Sequence, residues 1–259
     1  MQNPPLTITF LGTGTSSGVP MIGCNCEVCQ SNNPKDNRLR SSILVCSATT
    51  RIVIDTTPDF RYQMLRINNQ KLDAVVYTHA HKDHTAGLDD VRAYNFTQQR
   101  AMDVYATEPT QAALKKEFAY AFAEHKYPGV PELRLHTIAT APFQIGDICF
   151  EPIQVWHHKM PVLGFKLGNF IYITDANAID AEELEKLYGA DILVLNALRK
   201  EAHISHFTLA QAVDIVAQTN AKQAYFTHIS HQLGLHNAIN ASLPANIALA
   251  YDGLTLQIK

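Results

Sequence analysis

No stretch of this 259-residue chain is apolar for anything near the length of a membrane span. No spanning segment and no membrane partner are therefore expected. The first residues, Met1-Gln2-Asn3-Pro4-Pro5-Leu6, have neither the basic start nor the apolar run of an export signal, which points to a cytoplasmic location. Positive charge is not in excess: 21 Lys and Arg stand against 24 Asp and Glu, a net −3. Without a basic field, nucleic acid is not the expected partner. Cysteines number five, and an odd count argues against a full disulfide framework. Low-complexity tracts and short-period repeats are missing too. What is present is 46% hydrophobic and 17% charged residues, an ordinary globular balance with enough chain for a sizeable core.

The densest chemistry lies in Thr78-His79-Ala80-His81-Lys82-Asp83-His84. The run before it, Leu72-Asp73-Ala74-Val75-Val76-Tyr77, is short, apolar and β-branched and reads as a buried strand. The histidines thus sit at a strand's C-terminal end, where open α/β sheets place their sites. Three imidazoles and one carboxylate suit zinc or manganese, with iron as a further fit.

Strand signals recur along the chain. Leu6 to Leu11 alternates and runs into Gly12-Thr13-Gly14-Thr15-Ser16-Ser17-Gly18. Its spacing differs from a dinucleotide-binding loop, and Pro20 and Gly23 follow where a helix would open, so it reads as a tight loop beside a site. Strands are predicted at Ser42–Cys46, Arg51–Asp55, Asp103–Ala106, about 133–138, 143–155, 163–168, 170–174, Asp191–Leu195 and Lys222–Thr227. Helices are predicted from Thr57-Pro58-Asp59 to about Arg66, over 86–98, and from Thr107 to about Phe122. Two more open on capping boxes, Asp180 with Glu183 and Thr208 with Gln211. Asp252-Gly253 reads as a turn joining the last two strands. A break at Tyr127-Pro128-Gly129-Val130-Pro131 separates halves of about 1–128 and 129–259 within one domain. Two strand-rich halves with helices outside imply an αβ/βα sandwich of two mixed sheets, with the site in the cleft between sheet edges.

A dinuclear centre needs more ligands than one motif holds. His157, Asp175 and His228 each follow an apolar strand-like run, as His79 does. Asp175 has no helix to cap, since Asp180 caps the next one, and is free to bridge two metals. Cys24-Asn25-Cys26-Glu27-Val28-Cys29 offers three thiolates in a polar loop at 19–40, and a closed zinc site would need a fourth ligand. Cys46 and Cys149 lie in apolar runs as small buried side chains. His206 stands just before the Thr208 helix, whose free N–H groups favour a phosphate oxyanion. His125, His136, His203 and His236 have no such context.

The H-x-H-x-D-H pattern resembles the signature of the metallo-β-lactamase fold superfamily. With C-x-C-x-x-C, His157-His158-Lys159-Met160-Pro161-Val162-Leu163-Gly164-Phe165, Thr174-Asp175 and Thr227-His228-Ile229-Ser230-His231, the whole chain resembles its phosphoribosyl 1,2-cyclic phosphate phosphodiesterase branch, the accessory enzyme of the carbon–phosphorus lyase pathway. That resemblance implies two active-site divalent ions, one held by His79, His81 and His157, the other by Asp83, His84 and His228, with Asp175 between. It also implies His157 rather than His158, His231 as fourth ligand of a structural zinc with Cys24, Cys26 and Cys29, His206 as a catalytic acid, and a homodimer. The expected activity is metal-dependent hydrolysis of a small, cyclic phosphate ester, with Asp83 and His206 catalytic. Rivals on the same fold are tRNA 3′-processing, which uses a basic arm absent from this sequence, thioesterase or lactamase chemistry, and a non-catalytic cofactor-biosynthesis protein. Gly87-Leu88-Asp89-Asp90-Val91-Arg92 departs from the phosphodiesterase pattern, leaving open whether Asp89, Asp90 and Arg92 line the pocket or brace a helix.

Overall fold

The computed structural model describes residues 3–258. The first strands are β1 (Leu6–Gly12), β2 (Ser42–Cys46), β3 (Arg51–Ile54), β4 (Ala74–Val76), β5 (Met102–Ala106) and β6 (Leu133–Thr137). They are followed by β7 (Phe143–Ile145), β8 (Ile148–His157), β9 (Met160–Leu167), β10 (Phe170–Tyr172), β11 (Ile192–Asn196), β12 (Gln223–Thr227) and β13 (Ile247–Leu249). The last strand is β14 (Thr255–Ile258). One seven-stranded sheet runs β14-β1-β2-β3-β4-β5-β6 and the other β13-β12-β11-β10-β9-β8-β7. β6 therefore joins the first sheet although it lies beyond the break at 127–131. In each sheet three antiparallel pairings precede three parallel ones, ending at β3-β4-β5-β6 and β10-β11-β12-β13.

The helices are α1 (Phe60–Arg66), α2 (Lys82–Thr85), α3 (Arg92–Gln98), α4 (Glu108–Glu117), α5 (Ala119–Phe122), α6 (Ala181–Glu185), α7 (Leu209–Thr219) and α8 (His236–Ser242). Alternation along the strands sorts the core into layers. Ile8, Ile43, Ile54, Phe150, Phe165 and Tyr172 pack between the sheets. Val53, Val75, Phe60, Met64 and Leu114 join the first sheet to its outer helices. Leu193, Leu195, Ala212, Val216 and Ile239 do the same for the second. This is the expected sandwich of two mixed sheets with helices outside.

Several local readings change. α1 starts at Phe60, because the Thr57 hydroxyl accepts from the Asp59 N–H in a preceding turn and the Asp59 carboxylate accepts from Arg40. The stretch 86–98 is a 3₁₀ turn, Leu88–Val91, followed by α3. The predicted helix from Thr107 is broken at Phe118, which leaves helical dihedrals with φ −104° and ψ 40°. Thr208 and Gln211 form their capping box, whereas Asp180 and Glu183 do not. Their carboxylates accept instead from Trp156 Nε1 and the Gln154 N–H. Asp252-Gly253 is no hairpin turn: it carries the chain from β13 in one sheet to β14 in the other. Cys46 and Cys149 are half-buried. Gly12 is required by close approach, since a Cβ there would lie 2.0 Å from the Arg40 carbonyl oxygen.

A buried arginine ties the 19–40 loop to the sheet ends. Arg38 donates from Nη1 to the Ala250 carbonyl at 2.7 Å and the Thr13 hydroxyl at 2.8 Å. Its Nη2 lies 3.0 Å from His236 Nδ1, which must accept because a guanidinium only donates. The His236 N–H in turn donates to Asp36 at 2.7 Å. Burial and the neighbouring Arg38 draw the His236 imidazole down to about 4. The unfolded chain then takes up this proton first as pH falls, so the contribution is complete above about 6.5 and is lost between about 6.5 and 4. The melting temperature of the protein should drop more steeply from pH 7 to 5 than that of His236→Gln, whose amide oxygen can still accept from Arg38. Equal slopes in a pH series of thermal melts would exclude this linkage.

Candidate metal centre

The site is built at strand ends. β4 ends at Val76, and Thr78 and His79 follow, both buried; the Thr78 carbonyl is clamped to the second sheet by the Leu163 N–H at 3.1 Å. His81 is the N-cap residue of α2, and Asp83 and His84 lie on that helix. His157 closes β8 and is buried, whereas His158 has φ 58° and is exposed. The left-handed turn thus sends one histidine inward and its neighbour out. Asp175 lies three residues past β10, and His228, with φ 54°, is the first residue past β12. His206 sits in the loop before α7.

These residues converge. Potential ligand atoms of His79, His81 and His157 lie within 4.8 Å of one another, and so do those of Asp83, His84, Asp175 and His228. Asp175, 2% exposed, has Oδ1 3.2 Å from His228 Nδ1 and 3.4 Å from His84 Nε2. Its Oδ2 lies 3.2 Å from His206 Nε2 and 3.8 Å from His79 Nε2. A third grouping, His157, Asp175 and His206, satisfies the same distance limit.

Asp55, the last residue of a predicted strand with no expected role in the site, organises the tautomers. Its Oδ1 accepts from the Thr78 N–H at 2.9 Å, and its Oδ2 accepts from the Thr78 hydroxyl and His84 Nδ1, each at 2.8 Å. His84 therefore presents Nε2 inward. The Thr78 hydroxyl has spent its proton on Asp55, so at 2.9 Å it can only accept from His79 Nδ1, and His79 too presents a bare Nε2. His157 donates from Nδ1 to the Ser205 carbonyl at 2.8 Å, with the same outcome. The cue was available: Asp55 ends an apolar strand just as Asp175 does.

The donor set fits a cation. His79 Nε2, His84 Nε2 and His228 Nδ1 are buried without a hydrogen-bond partner among the described residues, an arrangement that ordinarily costs stability and that a metal ion satisfies. Burial holds His79 well below its usual range, draws His228 down to about 3 and lowers His157. Neutral imidazole is the ligating form. For His84, burial opposes charge, but Asp175, Asp83 and Asp55 outweigh it and raise the group well above its ordinary value. Burial likewise opposes ionisation of Asp175, yet His228 and His84 hold its carboxyl well below the usual range.

A second cluster lies in the 19–40 loop. Cys24 Sγ and Cys26 Sγ lie 3.4 and 3.2 Å from His231 Nδ1, and Cys29 completes a four-residue group. Hydrogen bonds from His231 and the Cys29 N–H draw the Cys26 thiol down to about 6, while burial pushes Cys29 up to about 11. Three thiols and an imidazole make a four-donor set of the kind that structural zinc takes. Asp89 instead pairs with Arg92 and accepts from the Tyr120 hydroxyl, and Asp90 and Arg92 line a groove between α1 and α3, away from these clusters. Asp89 and Arg92 thus brace the helices, while Asp90 only lines the groove.

Two substitutions test this geometry. Asp55→Asn leaves His84 and His79 free to change tautomer and should lower divalent-ion affinity roughly 10–100-fold, measured by competition with a chelating dye; unchanged affinity would remove Asp55 from the site. Cys26→Ser should lower bound zinc and also weaken ion binding at His228. The link is short: the Ile229 N–H donates to the Thr13 carbonyl at 2.9 Å, and His231 lies only two residues further on. Full metal content in Cys26→Ser would reduce the cluster to three free thiols.

Comparison with known proteins places the chain. Residues 50–229 match the model of the beta-lactamase superfamily domain. A solved structure of a new diphosphatase from the PhnP family is 43% identical, with a TM-score of 0.92 over 98% of this chain and 97% of that one. Zinc-bound PqqB from Methylobacterium extorquens shares the fold at 18% identity, with a TM-score of 0.76 over 97% of this chain and 100% of its own. An octanoyltransferase of Porphyromonas gingivalis is 40% identical over 248 residues, which is 95% of this chain but 50% of that protein, so the chain spans about half the length of this curated relative. The chain belongs to the beta-lactamase superfamily and, within it, to the PhnP family.

Proposed function

We propose that the chain is a dinuclear metal-dependent phosphodiesterase acting on a small phosphate ester, in its expected form a cyclic phosphate of a sugar or nucleotide. The observation that carries this reading is Asp175, a buried carboxylate whose two oxygens face different sets of imidazoles. In this reading His79, His81 and His157 hold one ion, Asp83, His84 and His228 hold the other, and Asp175 is shared. Divalent ions so held would polarise a phosphoryl oxygen and bring the pKa of water toward neutrality. Cys24, Cys26, Cys29 and His231 would hold a separate structural zinc.

The rest is the work of side chains. His206 Nε2 lies beside Asp175, while its Nδ1 faces Ser205 Oγ at 3.1 Å and His203 Nδ1 at 3.2 Å. It stacks on His228 with ring centroids 4.7 Å apart, which keeps its inner edge on the cluster. From there it can deliver a proton to a departing alkoxide. A strained five-membered cyclic ester needs less of that help than an open diester.

A second reading, cleavage of a diphosphate linkage, is supported by the 43%-identical diphosphatase. Both reactions attack phosphorus and differ in the leaving group. Acyl transfer, the activity named for the relative of twice this length, would be served by a thiol nucleophile, and among the described residues no cysteine joins the His and Asp groups at the strand ends.

The test is metal analysis followed by hydrolysis of bis-p-nitrophenyl phosphate, 2′,3′-cyclic nucleotides, a dinucleotide diphosphate, a thioester and pre-tRNA. Activity surviving exhaustive chelation, or unimpaired in Asp175→Ala, would sink the proposal. His206→Ala should cost on the order of 10²–10⁴ in kcat on an alkoxide-leaving substrate without loss of metal, and much less when p-nitrophenolate or a phosphate departs. Equal losses on all three would make His206 a phosphate-positioning residue.

A further inference from the structure

We propose that the groove opening beside His79 binds the organic part of the substrate and that this part is a neutral group of nucleoside size. The inference rests on the phosphodiesterase reading for its orientation. The groove has a volume of about 550 Å³, within the usual range for small-molecule sites and large for a lone pentose. It starts at His79 and Ala80 and runs along the ends of β5 and β6 beneath the β8–β9 hairpin. Of the cluster's residues His79 alone lines it, so a phosphoryl group held beside His79 would have its ester substituent at the mouth of this groove.

The lining selects the chemistry. Among the described residues no lysine or arginine lines the groove, and Glu108 adds a carboxylate to its lining. A further phosphate or a free carboxylate would meet no countercharge there and one repulsive group. Ile138, Met160, Pro161 and Leu163 offer apolar faces suited to a flat heterocycle. Hydroxyls are interleaved with them. Thr137 Oγ1 accepts from Gln111 Nε2 at 3.1 Å, and Thr110 Oγ1 accepts from the Thr107 hydroxyl at 3.1 Å. Each keeps its own hydroxyl proton to offer a ligand. The Gln154 N–H is taken by Glu183, while its side-chain amide has no hydrogen bond among the described residues. Apolar walls with a few placed donors match a nucleoside better than an acyl chain, which would leave those donors unpaired.

The experiment compares thymidine 5′-p-nitrophenyl phosphate with methyl p-nitrophenyl phosphate on the metal-loaded protein. They share a leaving group and differ in the organic part. The nucleoside ester should show a KM at least tenfold lower. Ala139→Trp, at an exposed position in the groove, should erase that difference, acting on KM rather than kcat; Thr140→Trp serves if the first variant misfolds. Binding of thymidine itself, followed by ligand-observed NMR, gives a readout independent of turnover and should be lost in the same variants. Thymidine binding without hydrolysis of either ester would defeat the phosphodiesterase reading and leave the groove assignment standing. Equal KM values with no thymidine binding would overturn the groove assignment, and octanoate binding in place of thymidine would reassign it to an acyl chain.

Discussion

A carboxylate taken out of water must be compensated, and Asp175 sets that demand for the whole cleft. At 2% exposure it has four imidazoles within 3.8 Å, and its neighbours His228 and His84 keep it ionised against the cost of burial. Asp83 and Asp55 crowd the same His84, so the cluster holds more negative charge than one protonated imidazole balances. A divalent cation relieves that surplus and satisfies the orphaned nitrogens at once. Metal affinity is in this sense a consequence of where the carboxylates are buried.

The fold supplies the burial by using one plan twice. Both sheets pass from three antiparallel pairings to three parallel ones, and each first parallel strand, β3 or β10, leads to a buried aspartate, Asp55 or Asp175. Parallel strands are covered on both faces, so their ends are where polar groups can collect without breaking the core. The two aspartates have diverged in task. Asp175 faces the cavity, while Asp55 faces backward, spending its oxygens on Thr78 and His84.

Much of this was legible in the sequence because it depends on period and position. An apolar run followed by a histidine or aspartate marks a strand end, and His79, His157, Asp175 and His228 were all found that way. What was missed depends on partners remote in sequence. Asp55 carries the same mark, but its role appears only when Thr78 and His84 are seen to donate to it. Asp180 and Glu183 have capping-box spacing, yet Trp156 Nε1 and the Gln154 N–H on β8 claim their carboxylates. Asp252-Gly253 has hairpin chemistry, but the Asp252 carboxylate accepts from the Thr13 hydroxyl at 2.8 Å and the Leu39 N–H at 2.9 Å, which turns the chain toward the first sheet. The preference for His157 over His158 comes from the family resemblance, and the structure adds its physical reason, a left-handed His158 that spacing does not encode.

Three of the residues just named, Asp55, His158 and His228, have positive φ without being glycine, at 67°, 58° and 54°. Such conformations cost about 1 kcal/mol or more apiece and persist only where the surroundings over-determine them. At His228 the surroundings are visible. The Thr15 N–H donates to the Ile229 carbonyl at 3.1 Å, the Ile229 N–H returns to Thr13, and the Ser230 N–H is held by Leu198 at 3.0 Å. Gly14 is the residue that lets these chains meet: its N–H donates to Leu39 at 2.7 Å, and a Cβ would lie 2.8 Å from the Arg38 carbonyl oxygen. The tight glycine loop after β1 is therefore a clasp between the cysteine-bearing segment and the segment that carries both His228 and His231. Strain at His228 aims Nδ1 at Asp175, and that clasp keeps the strain from relaxing.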